Sequence, residues 1–169
     1  MKVIISPAKR MRQDLDFLPP KTMPVFLERA QTLRDYLQSL SLSQLKALLC
    51  CNDAIAQLNF ERYQAMDLRS SLTPAIFSYD GIQYQYMAPY LFTQEQFDYL
   101  EQHVRMLSGF YGLLRPFDGV TPYRLELQAR LKTPFCSSPP HPLPPASGCL
   151  GSARLHWHCM NHVRPAQRP

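Results

Sequence analysis

The chain lacks the long uncharged apolar run that a membrane-spanning helix requires. Its first residues, Met1-Lys-Val-Ile-Ile-Ser-Pro7, hold too short an apolar stretch for a signal peptide. Both absences lead to the expectation of a cytoplasmic protein. Cysteines number five, an odd count that fits reduced thiols better than a disulfide framework. The adjacent Cys50 and Cys51 lie in a helical pattern and read as packing residues. Histidine is scarce: residues 1–134 contain His103 alone, on a helical stretch, so no Ser/His/Asp arrangement is apparent there. No recognition helix with bidentate base readers stands out. No convincing iron ligand set is present in the first 134 residues, and no cofactor is expected.

Acidic residues are missing altogether after residue 134. Residues 1–134 hold 15 Lys/Arg against 13 Asp/Glu, whereas residues 135–169 hold three arginines and no acid. More than half of the net charge of +5 therefore comes from the last 35 residues. An argument for a nucleic-acid partner has to rest on how the remaining cations cluster, not on overall basicity.

What is present suffices for one ordinary domain: 169 residues, of which 46% are hydrophobic. Composition shifts sharply after Pro134. Residues 135–169 carry four of the five histidines, three of the five cysteines, the single tryptophan and seven prolines, with neither helical nor strand periodicity. A disordered Pro-rich tail is one reading. A metal site from His156, His158, Cys159 and His162 is another, although their spacing matches no zinc pattern. A third is a frameshift. The codons of His156-Trp-His-Cys-Met-Asn161, read from the third base, encode Leu-Ala-Leu-(Tyr or His)-Glu, mostly good helix formers. Under this hypothesis the gene in closely related strains carries an intact frame running past residue 169; a genuine Pro-rich end in all of them rules it out.

Along the body, Val3-Ile-Ile-Ser6 reads as a buried, parallel strand, with Ala8-Lys9-Arg10 in the loop at its C-terminal end, where open α/β sheets bind ligands. Thr22-Met-Pro24 should cap a helix with Phe26, Ala30, Leu33 and Leu37 on one face. Ser41 starts a second helix, and Asn52-Asp53 caps a third. The two resemble a helix-hairpin-helix in outline, over about Ser43–Tyr63, but Cys51-Asn-Asp-Ala54 lacks the usual glycine, so an ordinary αα-hairpin stands beside that reading. Ala75–Tyr79 reads as a strand. The tyrosines of Gln83-Tyr-Gln-Tyr86 either cover a half-buried surface or stack on bases. Thr93–Gln96 matches a capping box, followed by a helix with Phe97, Leu100, Val104 and Leu107 inward, ended by Ser108-Gly109. Phe110–Leu114 is the next strand. Strand, helix and strand in this order imply an α/β domain with right-handed crossovers.

The segment from Arg105 to Glu126 then places Arg115 beside Pro116, and Tyr123-Arg124-Leu125-Glu126 in a loop, before Arg130 and Lys132. If Val3–Ser6 and Phe110–Leu114 are parallel neighbours, Lys9 and Arg115 share one edge and form a cationic cleft. Arg124 and Glu126 either take part in it or pair structurally.

Ile5-Ser-Pro-Ala-Lys9, Arg105-Met-Leu-Ser-Gly-Phe-Tyr-Gly-Leu-Leu-Arg-Pro116 and Pro122-Tyr-Arg-Leu-Glu126 together closely resemble the YaaA family of peroxide-stress proteins. The resemblance covers roughly residues 1–133. It implies a YaaA-like α/β fold, with a mixed sheet, flanking helices and a helix-hairpin-helix-like element, incomplete at the C-terminus. Residues 1–134 would be the N-terminal part of that domain and residues 135–169 a non-homologous tail. The family normally continues with a Phe-Trp-containing segment, and Ala146-Ser-Gly148, if written GCT-TCT-GGG, contains Phe-Trp in the same shifted frame.

The resemblance further implies a bacterial protein that binds the DNA phosphate backbone, with little base specificity, through a positive cleft. It is also associated with limiting iron-driven damage under peroxide. By position, the cleft candidates are Lys9, Arg105, Arg115, Tyr123, Arg124 and Arg130. No catalytic reaction is carried over. The alternatives are an enzyme acting on a phosphorylated or nucleic-acid substrate, with Lys9, Arg115 and Arg124 on the anion and Glu126 as an acid-base group, or a non-functional truncated product whose sheet keeps open edges. No membrane partner is expected.

Overall fold

The computed structural model describes residues 1–127, 129 and 131. The readings made for Arg130, Lys132 and residues 135–169 lie outside the described residues. Within them the chain is a mixed α/β protein built around a small mixed sheet. No described helix is long and apolar enough to cross a membrane.

Three strands form the central sheet: β1 (Val3–Ile5), β5 (Val104–Ser108) and β6 (Gly112–Leu114), in the order β1-β5-β6. β1 runs parallel to β5 with Val3 opposite Val104 and Ile5 opposite Met106. β6 folds back antiparallel on β5, Met106 facing Leu114 and Ser108 facing Gly112. Two short antiparallel ribbons flank it. β2 (Arg10–Met11) pairs with β4 (Tyr79–Asp80), and β3 (Thr73–Pro74) with β7 (Gly119–Val120).

Helices α1 (Leu27–Gln38), α2 (Leu42–Leu49), α3 (Asp53–Gln64), α4 (Ala75–Ser78), α5 (Ile82–Met87) and α6 (Gln94–His103) fill the connection between β1 and β5. Capping chemistry explains three of the starts. The Ser41 hydroxyl accepts from the Gln44 amide while the Gln44 side chain accepts from the Ser41 amide. Thr93 and Gln96 repeat this at α6. Asn52 accepts from the Ile55 amide at the head of α3. Between α2 and α3 the chain turns at Cys50, which adopts the left-handed φ of 46° and ψ of 51° that a glycine takes at lower cost.

Four expectations fail locally. The helix expected after Thr22 begins only at Leu27, and its N-cap, Phe26, supplies no side-chain bond. Thr22 bonds the Asp118 carboxylate instead. Ala75–Ser78 is one helical turn rather than a strand, because the Ala75 and Ile76 amides donate to the Asp118 and Pro116 carbonyls outside any ladder. Val3–Ile5 forms the expected strand but is not buried as expected: Val3 and Ile4 are both exposed. The helix expected to run through Leu107 stops at His103; Val104, Met106 and Ser108 are buried alternately along β5, the period of a strand.

That last difference moves the site. β5, not the Phe110–Leu114 stretch, is the parallel neighbour of β1. Since β6 is antiparallel to both, the loop carrying Lys9 leaves the sheet at its Ser108 end, and Arg115 leaves it at the Val104 end. The two do not emerge at one edge.

Candidate anion-binding site

A group of buried tyrosines builds the Ser108 end of the sheet. The Tyr123 hydroxyl lies 2.6 Å from Ser108 Oγ and 2.8 Å from the Tyr79 hydroxyl. Ser108 Oγ also accepts from the Phe110 and Tyr111 amides at 3.1 and 2.7 Å, which shapes the β5–β6 turn. The Tyr123 ring stacks on Phe110 with centroids 5.2 Å apart. The Tyr63 hydroxyl donates to the Arg124 carbonyl at 2.7 Å, and the Tyr84 hydroxyl to the Ser6 carbonyl at the same distance. Burial, the largest cause in each case, pushes the hydroxyls of Tyr63, Tyr79, Tyr84 and Tyr123 above the ordinary tyrosine range. Neutral phenols therefore pin both the loop after β1 and the Tyr123–Glu126 segment.

Gly109 completes the clamp. A Cβ built there would stand 2.4 Å from the Leu125 carbonyl oxygen and 3.1 Å from the Glu126 carbonyl carbon. The backbone of the segment lies directly on that glycine, so it cannot accept a side chain without moving.

On this base sit three of the charged residues. Lys9 Nζ is 2.9 Å from Glu126 Oε1, and Arg124 Nη2 is 3.6 Å from the same oxygen. The side chain of Arg124 is 16% exposed, that of Glu126 33% and that of Lys9 67%. Arg124 Nε is buried with no hydrogen-bond partner among the described residues. Of the six sequence candidates, Lys9 and Arg124 thus come together, while Tyr123 is buried beneath them as part of their support.

Arg105 and Arg115 belong to the other end. Arg105 Nη1 donates to the carbonyls of Glu101 and Val104, closing the last turn of α6. Arg115 is exposed, and its amide donates to Asp118 Oδ2 at 2.7 Å. Asp118 is fully buried, and burial pushes its carboxyl up, against the Thr22 hydroxyl, the Arg115 amide and the Arg115 and Arg105 charges. Lys21 lies nearby, paired with Glu101 at 2.9 Å and 4.6 Å from the Phe117 ring centroid. Arg130 lies outside the described residues.

Sequence reasoning missed a cleft of about 310 Å³ between the β2–β4 ribbon, α5 and the turn at Pro89–Leu91. Arg12 lines it, 4.7 Å from the Tyr90 ring centroid, with Tyr79, Tyr84, Asp80 and Gln85. The signal was the alternation Arg10-Met11-Arg12, which buries Met11 and leaves both arginines exposed. Among the described residues, no group of three or more His, Cys, Asp or Glu could hold a metal ion.

Comparison with known proteins agrees with the sequence motifs. The family model described as peroxide stress protein YaaA matches residues 1–138. A UPF0246 protein of Desulfitobacterium hafniense is 63% identical over 136 residues, 80% of this chain and 54% of that protein. A UPF0246 protein of Pediococcus pentosaceus is 56% identical over 132 residues, 78% of this chain and 53% of its own length. One of Lactiplantibacillus plantarum is 54% identical over 131 residues with the same coverage. The chain spans about half the length of these curated relatives.

Proposed function

The chain belongs to the family of the peroxide stress protein YaaA, and from that membership we propose that it serves the peroxide-stress response by binding the phosphate backbone of DNA, so limiting iron-driven oxidative damage. One observation carries the reading: Lys9 and Arg124 converge on a single oxygen at the C-terminal end of the parallel β1–β5 pair. That end of a parallel pair is where α/β sheets hold ligands, and two cations around one oxygen position suit a phosphate. The exposed Arg115 at the other end of the sheet would contact a separate phosphate. Contacts of this kind carry no base specificity by themselves.

The α2–α3 hairpin would add contacts of its own. Its three-residue connection, Cys50-Cys51-Asn52, delivers the N-terminus of α3 to the surface with Asn52 and Asp53 exposed. Asp53 pairs with Lys46 at 2.7 Å, so phosphate would meet a partly neutralised turn there.

The deciding measurement is duplex DNA binding by the whole 169-residue chain over a range of salt. Affinity should fall as salt rises, and Arg115→Ala and Arg124→Ala should each weaken it. No binding at low salt, together with a rise in melting temperature on adding nucleotides or phosphates, would instead favour an enzyme of phosphorylated substrates.

A further inference from the structure

Glu126 occupies the position at which the proposed phosphate would bind. Its Oε1 lies 2.9 Å from Lys9 Nζ and 3.6 Å from Arg124 Nη2, so one carboxylate oxygen faces both cations. We infer that Lys9 and Arg124 define a single oxyanion position, filled by Glu126 in the free chain, and that a phosphate oxygen enters by displacing this side chain. Glu126 then decides which anions bind: only one that competes with a tethered carboxylate takes the position. This inference rests on the phosphate-binding reading above and adds the residue that governs it.

The backbone around Glu126 is held by buried contacts, while its side chain reaches the surface. Tyr123 is held by Ser108 and Tyr79, and the Arg124 carbonyl by Tyr63. Leu125 is buried, and its carbonyl lies against Gly109. The Glu126 side chain, by contrast, is one-third exposed and faces a lysine that is two-thirds exposed. Among the described residues, rotating it outward breaks these ion contacts and leaves the tyrosine-anchored loop in place. Arg124 cannot follow it: its side chain is largely buried, so it stays aimed at the vacated position. Its Nε is buried with no hydrogen-bond partner among the described residues.

An exposed ion pair is worth about 0.2–1 kcal/mol. Removing the internal competitor should therefore raise affinity by about 1.4-fold to fivefold. The test compares the 169-residue chain with Glu126→Gln, using two probes at low salt: a short DNA duplex and inorganic phosphate. Glu95→Gln, which removes an exposed acid on α6, controls for the change in net charge. Glu126→Asp, too short to span both cations, replaces the glutamine variant if that one does not fold. A gain with Glu126→Gln well beyond the Glu95→Gln gain, abolished in a Lys9→Ala background, is the expected result.

A gain for both probes, or for duplex alone, assigns the oxygen to a phosphodiester. A gain for inorganic phosphate alone keeps the oxyanion position but removes the DNA reading. Duplex binding that weakens in Arg124→Ala yet is unchanged by Glu126→Gln leaves the DNA reading standing and overturns this inference. Failure of every form to bind either probe overturns both.

Discussion

Tyr79 and Tyr123 share a hydrogen bond of 2.8 Å inside the core, the Tyr123 hydroxyl bonding Ser108 Oγ as well. This phenol joins the β2–β4 ribbon, the end of β5 and the loop that delivers Arg124 and Glu126. Tyr123→Phe keeps the ring stacked on Phe110 but leaves the Tyr79 hydroxyl without that partner. We expect a loss of about 1–2 kcal/mol in urea unfolding, and weakened anion binding as the loop loosens. An unchanged midpoint would show that the hydroxyl is not part of what holds the loop.

The same buried phenols set an alkaline limit. Tyr63, Tyr79, Tyr84 and Tyr123 all have their ionisation pushed above the ordinary value of 10.0, chiefly by burial. In the unfolded chain they ionise near that value. Their neutral forms thus support the fold fully below about pH 10, and the support is lost as pH rises beyond it. Tyrosinate absorbance should show these buried phenols ionising only together with loss of tertiary circular dichroism. Reversible titration of Tyr63, Tyr79, Tyr84 and Tyr123 without unfolding would contradict this arrangement.

Asp118 gives a test at the opposite end of the sheet. It accepts from the Thr22 hydroxyl and the Arg115 amide, and its pKa is raised from 3.8, chiefly by burial. A raised folded pKa means that its contribution is full below the unfolded value and declines as pH rises through the folded one. Asp118→Asn should keep the fold, cost under about 1 kcal/mol at neutral pH, and flatten this acid-to-neutral decline. Asp118→Ala leaves two donors unmet and should cost about 2–3 kcal/mol. Equal losses for Asn and Ala would show that charge, not hydrogen bonding, matters at this position.

Local chemistry made the capped helices legible: Ser41, Asn52 and Thr93 each act where short polar side chains satisfy free amides at a helix start. β5 was hidden because Phe97, Leu100, Val104 and Leu107 also fit a helical spacing; only pairing with β1 and β6 selects the strand. Ala75–Ser78 was hidden because a short, fully buried apolar run looks alike as strand or helical turn, and its amides bond residues far along the chain. For the site, the motifs brought out Lys9, Arg115 and Arg124, but which cations meet depended on the sheet order. The pairing of Lys9 with Glu126 is a tertiary fact that no periodicity carries.

Gly109→Ala tests the clamp itself. Its Cβ would collide with the Leu125 carbonyl, which is backbone and cannot rotate away. Pushing the segment outward should cost about 1–3 kcal/mol and separate Glu126 and Arg124 from Lys9. Binding and stability should fall together, whereas Lys9→Ala should lower binding alone.

Cooperation among the cations follows from the same geometry. Lys9 and Arg124 share one oxygen position, while Arg115 leaves the sheet in the opposite direction, because β6 runs antiparallel to β5. A duplex contacting both ends meets them through different phosphates. Lys9→Ala and Arg115→Ala should each lower the steepness of the salt dependence by about 0.9 for every phosphate the variant no longer neutralises, and their effects on binding free energy should add. Lys9→Ala and Arg124→Ala should not add, because either one alone opens the shared position. Coupling between Lys9 and Arg115 as strong as that between Lys9 and Arg124 would mean a single merged cleft, against the strand order; additivity for both pairs would mean that Lys9 and Arg124 hold separate phosphates.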